Sequence, residues 1–228
     1  MFAEKCICKS SNDILGNADI VQSIKQDLQE DANQTWFIFG STGSGKSALV
    51  STILREGGYI ATSFDASHKR SVKSIKSTIV NIVAHNYFCR NAIVFDEFEH
   101  VVEENFGAST LIDFIKTLTT VPVFVITNSS VKLRVLKLCT KFQYKVYSMN
   151  SPSTEELYNH IKRIVDQEHL NVSKNDIMIR INRYSTDIRK LINSIDVPFD
   201  CNGKDMCVKT DNLSTVNSIL DGTVSNTG

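Results

Sequence analysis

Residues 36–50 read WFIFGSTGSGKSALV and hold the most specific motif of the chain. An apolar run of strand length leads directly into a loop that matches the pattern G-x-x-x-x-G-K-[ST]. Glycines let backbone N–H groups turn inward around phosphate oxygens, and the following helix offers its positive N-terminus. We predict that Lys46 reaches the terminal phosphates and that Ser47 holds Mg²⁺, with a plain glycine turn as the alternative. The predicted nucleotide-binding residues are Gly40, Ser41, Thr42, Gly43, Ser44, Gly45, Lys46, Ser47 and Ala48.

Strand-like and helix-like segments alternate along most of the chain. Short runs rich in β-branched and aromatic residues are separated by segments whose apolar residues recur at helical spacing. This alternation is typical of a mainly parallel sheet covered by helices on both faces. The predicted strands lie at residues 36–39, 59–64, 92–95, 123–127 and 144–147, and the predicted helices between them lie near 20–28, 72–82 and 111–118.

The strand patterns stop near residue 150. Helical spacing then takes over, and Ser153 or Thr154, followed by two glutamates, is a typical helix start. From Val197 the chain is rich in Asp, Asn, Ser, Thr and Gly and has few apolar residues, which is typical of a disordered tail. We predict a nucleotide-binding domain at 1–150, a small helical domain at 151–196 and a polar tail at 197–228.

The composition limits what the whole chain can bind. Its 228 residues include 25 Lys and Arg and 25 Asp and Glu, so no net positive field attracts nucleic acid or membrane. Any such binding must come from local patches. The amino terminus, MFAEKCICKSSND, has no long apolar stretch, and no apolar run is long enough to cross a membrane. We therefore predict an intracellular protein that is not secreted, whose six cysteines are ordinary reduced thiols.

Polar residues end two of the predicted strands. The segment AIVFDEFE, residues 92–99, places Asp96 and Glu97 directly after four apolar residues. The first carboxylate can hold Mg²⁺, and the second can orient and deprotonate a water for attack on a γ-phosphate. Asn128 ends the strand VFVIT and is placed to hydrogen-bond a γ-phosphate or that water. The alternatives are a solvated acidic turn for the two carboxylates and a turn former for the asparagine.

The combined motifs resemble the AAA+ ATPases and, among them, the clamp loaders of the replication factor C family. The phosphate loop, the acidic pair and Asn128 are followed by TDIRKLINSI at residues 186–195. The stretch AEKCICKSSNDILGNADIVQSIK, residues 3–25, is similar to the family's opening, but its CICK replaces the family's Tyr-Arg-Pro-Lys. DASHKRSVKSIK, residues 65–76, resembles the family's Asn-Ala-Ser-Asp segment.

The resemblance implies a fold, an activity and cofactors. The implied fold is an α/β AAA+ P-loop domain with a parallel five-stranded sheet flanked by helices, followed by a small all-helical lid domain. The implied activity is hydrolysis of ATP with Mg²⁺. Lys46, Glu97, Asn128 and Arg189 are the implied catalytic residues, and Ser47 and Asp96 are the implied metal ligands. Arg189 in TDIRKL takes the place of the sensor-2 arginine, and a solvated helix arginine is the alternative.

One departure bears on the type of subunit. Small clamp-loader subunits carry a Ser-Arg-Cys motif whose arginine reaches into a neighbour's ATP site, whereas this chain has Lys137-Leu138-Cys139. The absent arginine finger makes the chain most similar to the family's large subunit, with slow hydrolysis in the absence of partners. Family members continue into a helical collar, and the polar residues after 197 are not expected to form one.

The resemblance also implies macromolecular partners: other clamp-loader-like AAA+ subunits, a sliding clamp and primer-template DNA. A basic stretch at helical spacing could meet a DNA backbone, or it could be a solvated face. An aromatic pair resembles the residues with which clamp loaders grip a clamp, or it could belong to the core. The DNA candidates are Lys69, Arg70, Lys73 and Lys76, and the clamp candidates are Tyr87 and Phe88.

The sequence thus predicts a clamp-loader-like ATPase subunit that couples ATP to engagement of a sliding clamp and primed DNA. It would act in the nucleus or at another site of DNA replication. Two alternatives remain open: an origin-recognition-type AAA+ initiator, and a non-hydrolysing scaffold that uses nucleotide only to fix its shape.

Overall fold

A computed structural model describes residues 8, 10–65, 72–84, 90–103, 108–139 and 143–195. Its centre is a five-stranded sheet in which every neighbouring pair of strands is parallel. The strands follow the spatial order β2-β3-β4-β1-β5, so that β4 lies between β1 and β3. The predicted α/β fold with a parallel five-stranded sheet is confirmed. The strands are β1 (Thr35–Gly40), β2 (Ile60–Asp65), β3 (Asn91–Asp96), β4 (Val123–Asn128) and β5 (Lys145–Ser148).

Helices connect the strands and then continue beyond the sheet. Six of those that the structure describes lie before the end of β5: α1 (Ala18–Glu30), α2 (Lys46–Glu56), α3 (Val72–Ala84), α4 (Glu99–Glu103), α5 (Ala108–Ile115) and α6 (Lys132–Leu138). Two short 3-10 helices, Ser11–Asp13 and Ser129–Val131, precede α1 and α6. The C-terminal helices are α7 (Thr154–Gln167), α8 (Lys174–Tyr184) and α9 (Ile188–Ile195).

Strand β1, between β4 and β5, is buried along its whole length, and its side chains alternate between two cores. Phe37 and Phe39 join one core, and Trp36 and Ile38 join the other. The alternation follows from the two-residue period of a strand. Helices α3, α5 and α6 cover the first core, and α1 and α2 cover the second. Both faces of β1 are therefore shielded from water, which explains why residues 36–39 are all apolar up to the phosphate loop.

The C-terminal helices form a hydrophobic cluster of their own. Leu157 and Ile161 of α7 pack with Ile177 and Ile181 of α8 and with residues of α9. Helix α7 begins as predicted: the Ser153 hydroxyl accepts a hydrogen bond from the backbone N–H of Glu156, whose carboxylate accepts one in return. The predicted domain boundary near residue 150 stays a prediction. None of the helices in the described ranges is long and apolar enough to cross a membrane.

Candidate functional site

A cavity of about 300 Å³ lies at the carboxyl ends of β1, β3 and β4. Its wall combines the phosphate loop, the acidic pair Asp96 and Glu97, residues just before α1, and side chains of the C-terminal helices. The carboxyl ends of parallel strands are where open α/β sheets bind their ligands. The structure therefore brings together, in one cavity, residues that the sequence places in separate motifs.

The phosphate loop has the backbone that its glycines predict. Gly43 and Gly45 have φ angles of 73° and 93°, in the left-handed region that favours glycine. Gly45 directly precedes α2, and a side chain placed there would meet no atom within 4 Å. Because the first N–H groups of a helix have no acceptor within the helix, the start of α2 offers donors to an anion in that open space.

The Lys46 side chain is hydrogen-bonded to backbone carbonyls of the phosphate loop. Its Nζ donates hydrogen bonds to the carbonyl oxygens of Gly40 and Ser41, at 3.1 Å and 2.7 Å. Burial lowers the pKa of Lys46, and the Glu99 and Asp96 carboxylates oppose this effect, while the Arg189 guanidinium adds a smaller lowering. The net effect disfavours the charged ammonium. A bound anion would favour the charged form.

Ser47 and Asp96 meet at the bottom of the site. The Ser47 hydroxyl donates a hydrogen bond of 2.7 Å to Asp96 Oδ2. The other carboxylate oxygen of Asp96 accepts a hydrogen bond of 2.9 Å from the backbone N–H of Glu97. The two predicted metal ligands therefore lie side by side, although 49 positions separate them in the sequence.

Glu97 leaves the strand in an unusual conformation. Its φ angle is 52°, which places a residue with a side chain in the left-handed region. Its carboxylate lies 3.7 Å from His100 Nε2 and is about half exposed. Residues held in this region cluster at functional sites because the surrounding structure must hold them there. The two carboxylates have different partners: Asp96 accepts a hydrogen bond from Ser47, whereas Glu97 lines the cavity near His100.

Asn128 links three parts of the site. Its side-chain N–H donates to Thr42 Oγ1 at 3.1 Å, and its backbone N–H donates to Glu99 Oε2 at 3.0 Å. Its side-chain oxygen accepts a hydrogen bond from the backbone N–H of Ser130 and caps the 3-10 helix Ser129–Val131. The turn-forming role and the contact with the loop are thus both present. The sequence analysis did not identify Glu99 as a site residue. Its only signal in the sequence was its place in DEFE, three residues after Asp96.

Hydrogen bonds join the phosphate loop to the start of α9 and to the residues just before it. The N–H of Ile188 donates to the Gly43 carbonyl at 3.0 Å, and the Ser41 hydroxyl donates to the Thr186 carbonyl at 3.4 Å. Arg189, the next residue of α9, forms part of the cavity wall. The structure therefore brings this predicted residue to the same cavity as Lys46.

The residues present fit a nucleotide with a divalent cation. The Ser44 hydroxyl is buried and has no hydrogen-bond partner in the described part of the chain, as expected where a polar ligand is to bind. Ser47 and Asp96 supply oxygen ligands, and Mg²⁺ is typically held by one or two carboxylates together with waters and phosphates. The described ranges contain no group of three or more His, Cys, Asp or Glu side chains that could hold a metal ion by themselves.

Several predicted contacts lie outside the site or outside the described residues. Lys69, Arg70, Tyr87 and Phe88 are not among the residues that the structure describes, and the side chain of Lys73 is not described either. Lys76 lies on α3, where its Nζ is 5.2 Å from the centre of the Phe114 ring. The DNA and clamp contacts stay predictions.

In the segment Lys137-Leu138-Cys139, the last two residues pack inward and Lys137 is exposed. Leu138 lies against the first core, and Cys139 is fully buried, which raises the pKa of its thiol to about 12. Leu138 therefore serves packing within this chain.

Comparison with known proteins agrees with this geometry. No family model matches the chain. It is 23% identical over 205 residues to human replication factor C subunit 5, a match that covers 84% of this chain and 58% of the relative. The chain thus spans less than two thirds of that relative's length.

Three solved structures resemble the chain at 14–15% identity. The Thermotoga maritima RuvB Holliday junction branch migration motor has a TM-score of 0.62 and 15% identity, over 83% of this chain and 63% of RuvB. The Aeropyrum pernix ORC1 protein in complex with DNA has a TM-score of 0.61 and 15% identity, over 79% and 58%. Domain III of the T. maritima replication initiation protein DnaA has a TM-score of 0.59 and 14% identity, over 82% and 85%. The chain therefore shares the α/β P-loop fold of these structures.

Proposed function

We propose that this chain binds and hydrolyses ATP as a clamp-loader-like subunit in DNA replication. The observation that carries the proposal is the hydrogen bond between Ser47 and Asp96, 2.7 Å long, beside a glycine loop that ends at Lys46. This pairing joins the end of β3 to the start of α2, where a phosphate-bound cation is held in P-loop proteins. Ser47 and Asp96 would hold Mg²⁺, which supplies neutralisation of charge on the phosphates.

The other residues divide the remaining tasks. Lys46 and the N–H groups at the start of α2 bind the phosphates. Glu97, turned away from Asp96 by its left-handed backbone, orients a water and accepts its proton. Asn128 is anchored to the loop at Thr42 and to Glu99, so its position follows that of the phosphate loop. Arg189 brings a positive charge from α9 to the same cavity.

The clamp-loader part of the proposal rests on sequence similarity to the replication factor C family. The relative named replication factor C subunit 5 matches 84% of the chain, and the motifs at 3–25 and 186–195 resemble that family. We propose other AAA+ subunits, a sliding clamp and primer-template DNA as partners, and the nucleus or another site of replication as the location. Leu138 in place of a finger arginine favours the large-subunit type.

The proposed nucleotide site can be tested by thermal unfolding with and without ATP and Mg²⁺. A ligand at one hundred times its Kd stabilises a protein by about 2.7 kcal/mol, so the wild-type melting temperature should rise clearly. Lys46→Ala should abolish this rise, because the charge on the terminal phosphates loses its partner. Lys162→Ala, which removes an exposed lysine of α7, is the matched control and should respond like the wild type. An equal rise in all three proteins would contradict the proposed site.

A further inference from the structure

His160 lies in the wall of the nucleotide cavity, on the second turn of α7. The wall of this cavity also contains apolar side chains. Ile14 and Leu15 come from the segment before α1, and Ile192 comes from α9. The phosphate loop supplies the donors for an anion, so these apolar side chains remain for the rest of a nucleotide. An apolar wall with a few placed polar groups is the usual surroundings of a planar ligand ring. His160 is the imidazole in this wall.

The hydrogen bonds of His160 define which ring nitrogen carries the proton. Arg163 Nη2 lies 3.2 Å from His160 Nδ1. An arginine can only donate hydrogen bonds, so Nδ1 must be the accepting nitrogen and the proton must be on Nε2. Arg163 is itself oriented by Asp13, whose Oδ1 lies 3.4 Å from the same Nη2. The ring is therefore held in the neutral tautomer that has an N–H at Nε2.

The surroundings favour this neutral form. Burial lowers the pKa of His160, and the Arg163 charge lowers it further, although Asp13 opposes the effect. Within the described residues, Nε2 has no hydrogen-bond partner from the protein. A neutral imidazole thus lines the cavity with its one N–H still available to a ligand.

We propose that His160 is a nucleobase-recognition residue whose Nε2–H donates a hydrogen bond to a ring nitrogen of adenine. This inference rests on the proposed function, and it names the residue that reads the base of the bound ATP. The unprotonated ring nitrogens of adenine are acceptors in the plane of the ring, which a fixed N–H donor can meet. Ile14, Leu15 and Ile192 offer apolar contact to its faces. In this proposal His160 binds the base, as Lys46 binds the phosphates.

The test compares ATP with a ligand that has the three phosphates but neither base nor sugar. Calorimetric titration of the full chain with Mg²⁺ and either ATP or inorganic tripolyphosphate separates contacts to the base and sugar from contacts to the phosphates. His160→Ala should weaken ATP binding by about tenfold, the effect of one lost hydrogen bond with its packing, and leave tripolyphosphate binding unchanged. His160→Gln keeps an N–H donor and should lose less. Asn159→Ala, an exposed neighbour on the same helix, is the matched control and should bind both ligands like the wild type.

The outcomes separate this inference from the function on which it rests. Wild-type ATP affinity in His160→Ala would overturn the role of His160 and leave the phosphate site intact. Equal weakening of both ligands would also overturn it, because the effect would not concern the base. If the wild-type chain bound neither ligand, the proposed nucleotide site would be wrong and the inference would be wrong with it. Unchanged tripolyphosphate binding also shows that the variant is folded.

Discussion

The backbone N–H of Ile188 donates a hydrogen bond of 3.0 Å to the carbonyl oxygen of Gly43, which joins helix α9 to the phosphate loop. The preceding residue, Asp187, lies so close to Gly43 that an added Cβ would come within 2.0 Å of its Oδ1. Asp187 cannot easily turn away, because the same Oδ1 accepts a hydrogen bond from the backbone N–H of Lys190 at the start of α9. The position of α9 is therefore linked to the conformation of the loop.

Gly43→Ala should lower both the free energy of unfolding and the affinity for ATP. Two effects add: a φ of 73° costs a residue with a Cβ on the order of 1–2 kcal/mol, and the new methyl group displaces Asp187. Gly58→Ala separates them, since Gly58 has a φ of 72° but nothing within 4 Å of its Cβ position. Denaturant unfolding should show a larger loss for Gly43→Ala than for Gly58→Ala. Equal losses would mean that the contact with Asp187 carries no energy.

Glu97→Gln should retain ATP binding and lose hydrolysis. The amide keeps the size of the side chain but cannot accept a proton, while Lys46, Ser47 and Asp96 are untouched. A loss of general-base catalysis is typically worth about 10²–10⁴ in rate. The measurement is single-turnover hydrolysis in the assembly with partner subunits, alongside ATP affinity. Glu168→Gln, at the exposed end of α7, is the control, and an unchanged rate in Glu97→Gln would remove the proposed base.

Isolated chains should hydrolyse ATP slowly at every concentration. In phosphoryl transfer, an arginine finger contributes on the order of 10³–10⁵ in rate, and here Leu138 stands in its place and packs against the core. We therefore expect that copies of this chain do not complete one another's sites, with Arg134 or Lys141 of the same segment as imperfect substitutes at best. The measurement is steady-state ATPase activity over a wide concentration series, alone and with subunits that carry a finger, a clamp and primed DNA. Partners should stimulate the rate, whereas a steep rise with the chain's own concentration would contradict the large-subunit proposal.

Glu56 should contribute stability that is lost in acid. Lys25 Nζ lies 2.7 Å from Oε2, and the backbone N–H of Ser11 donates to Oε1 at 2.8 Å. The hydrogen bond from Lys25, with that from Ser11, lowers the pKa of Glu56 from 4.5 to about 2. Because the folded-state pKa is below the unfolded one, the stabilisation is complete above the unfolded pKa and disappears as the pH falls through about 2.

Urea unfolding across this pH range tests the contribution of Glu56. Glu56→Gln should lower the free energy of unfolding by about 1 kcal/mol or less near neutral pH, because the ion pair is partly exposed and screened. The difference from the wild type should shrink below pH 4.5. In a Lys25→Met background, Glu56→Gln should have a smaller effect. A difference that stayed constant down to pH 2 would show that the charge of Glu56 is not involved.

Much of the local structure could be predicted because its signals lie within a few residues of one another. The run before the phosphate loop predicted strand 36–39, and β1 covers Thr35–Gly40. Ser153 predicted the start of α7 through a capping pattern three residues wide. Isoleucines stand at positions 177, 179 and 181, near the start of α8, and this spacing alone does not distinguish a helix from a strand. The helix buries Ile177 and Ile181 and leaves Ile179 46% exposed, because a period of 3.6 puts the middle residue on the opposite face.

Contacts between residues far apart in the sequence could not be predicted, because they depend on the tertiary packing. Local patterns give the order of strands along the chain but not their order in the sheet, which depends on how whole helices and strands pack. The insertion of β4 beside β1 aligns Asn128 with Gly40 and lets its side chain reach Thr42, 86 residues away. His160 carries no motif, and its proposed role becomes visible only in the folded chain, where it lines the same cavity as the phosphate loop and lies 3.2 Å from Arg163. The phosphate loop could be predicted from the sequence because one continuous segment encodes it, whereas Asp96, which joins Ser47, and the proposed surroundings of the base come from segments that only folding brings together.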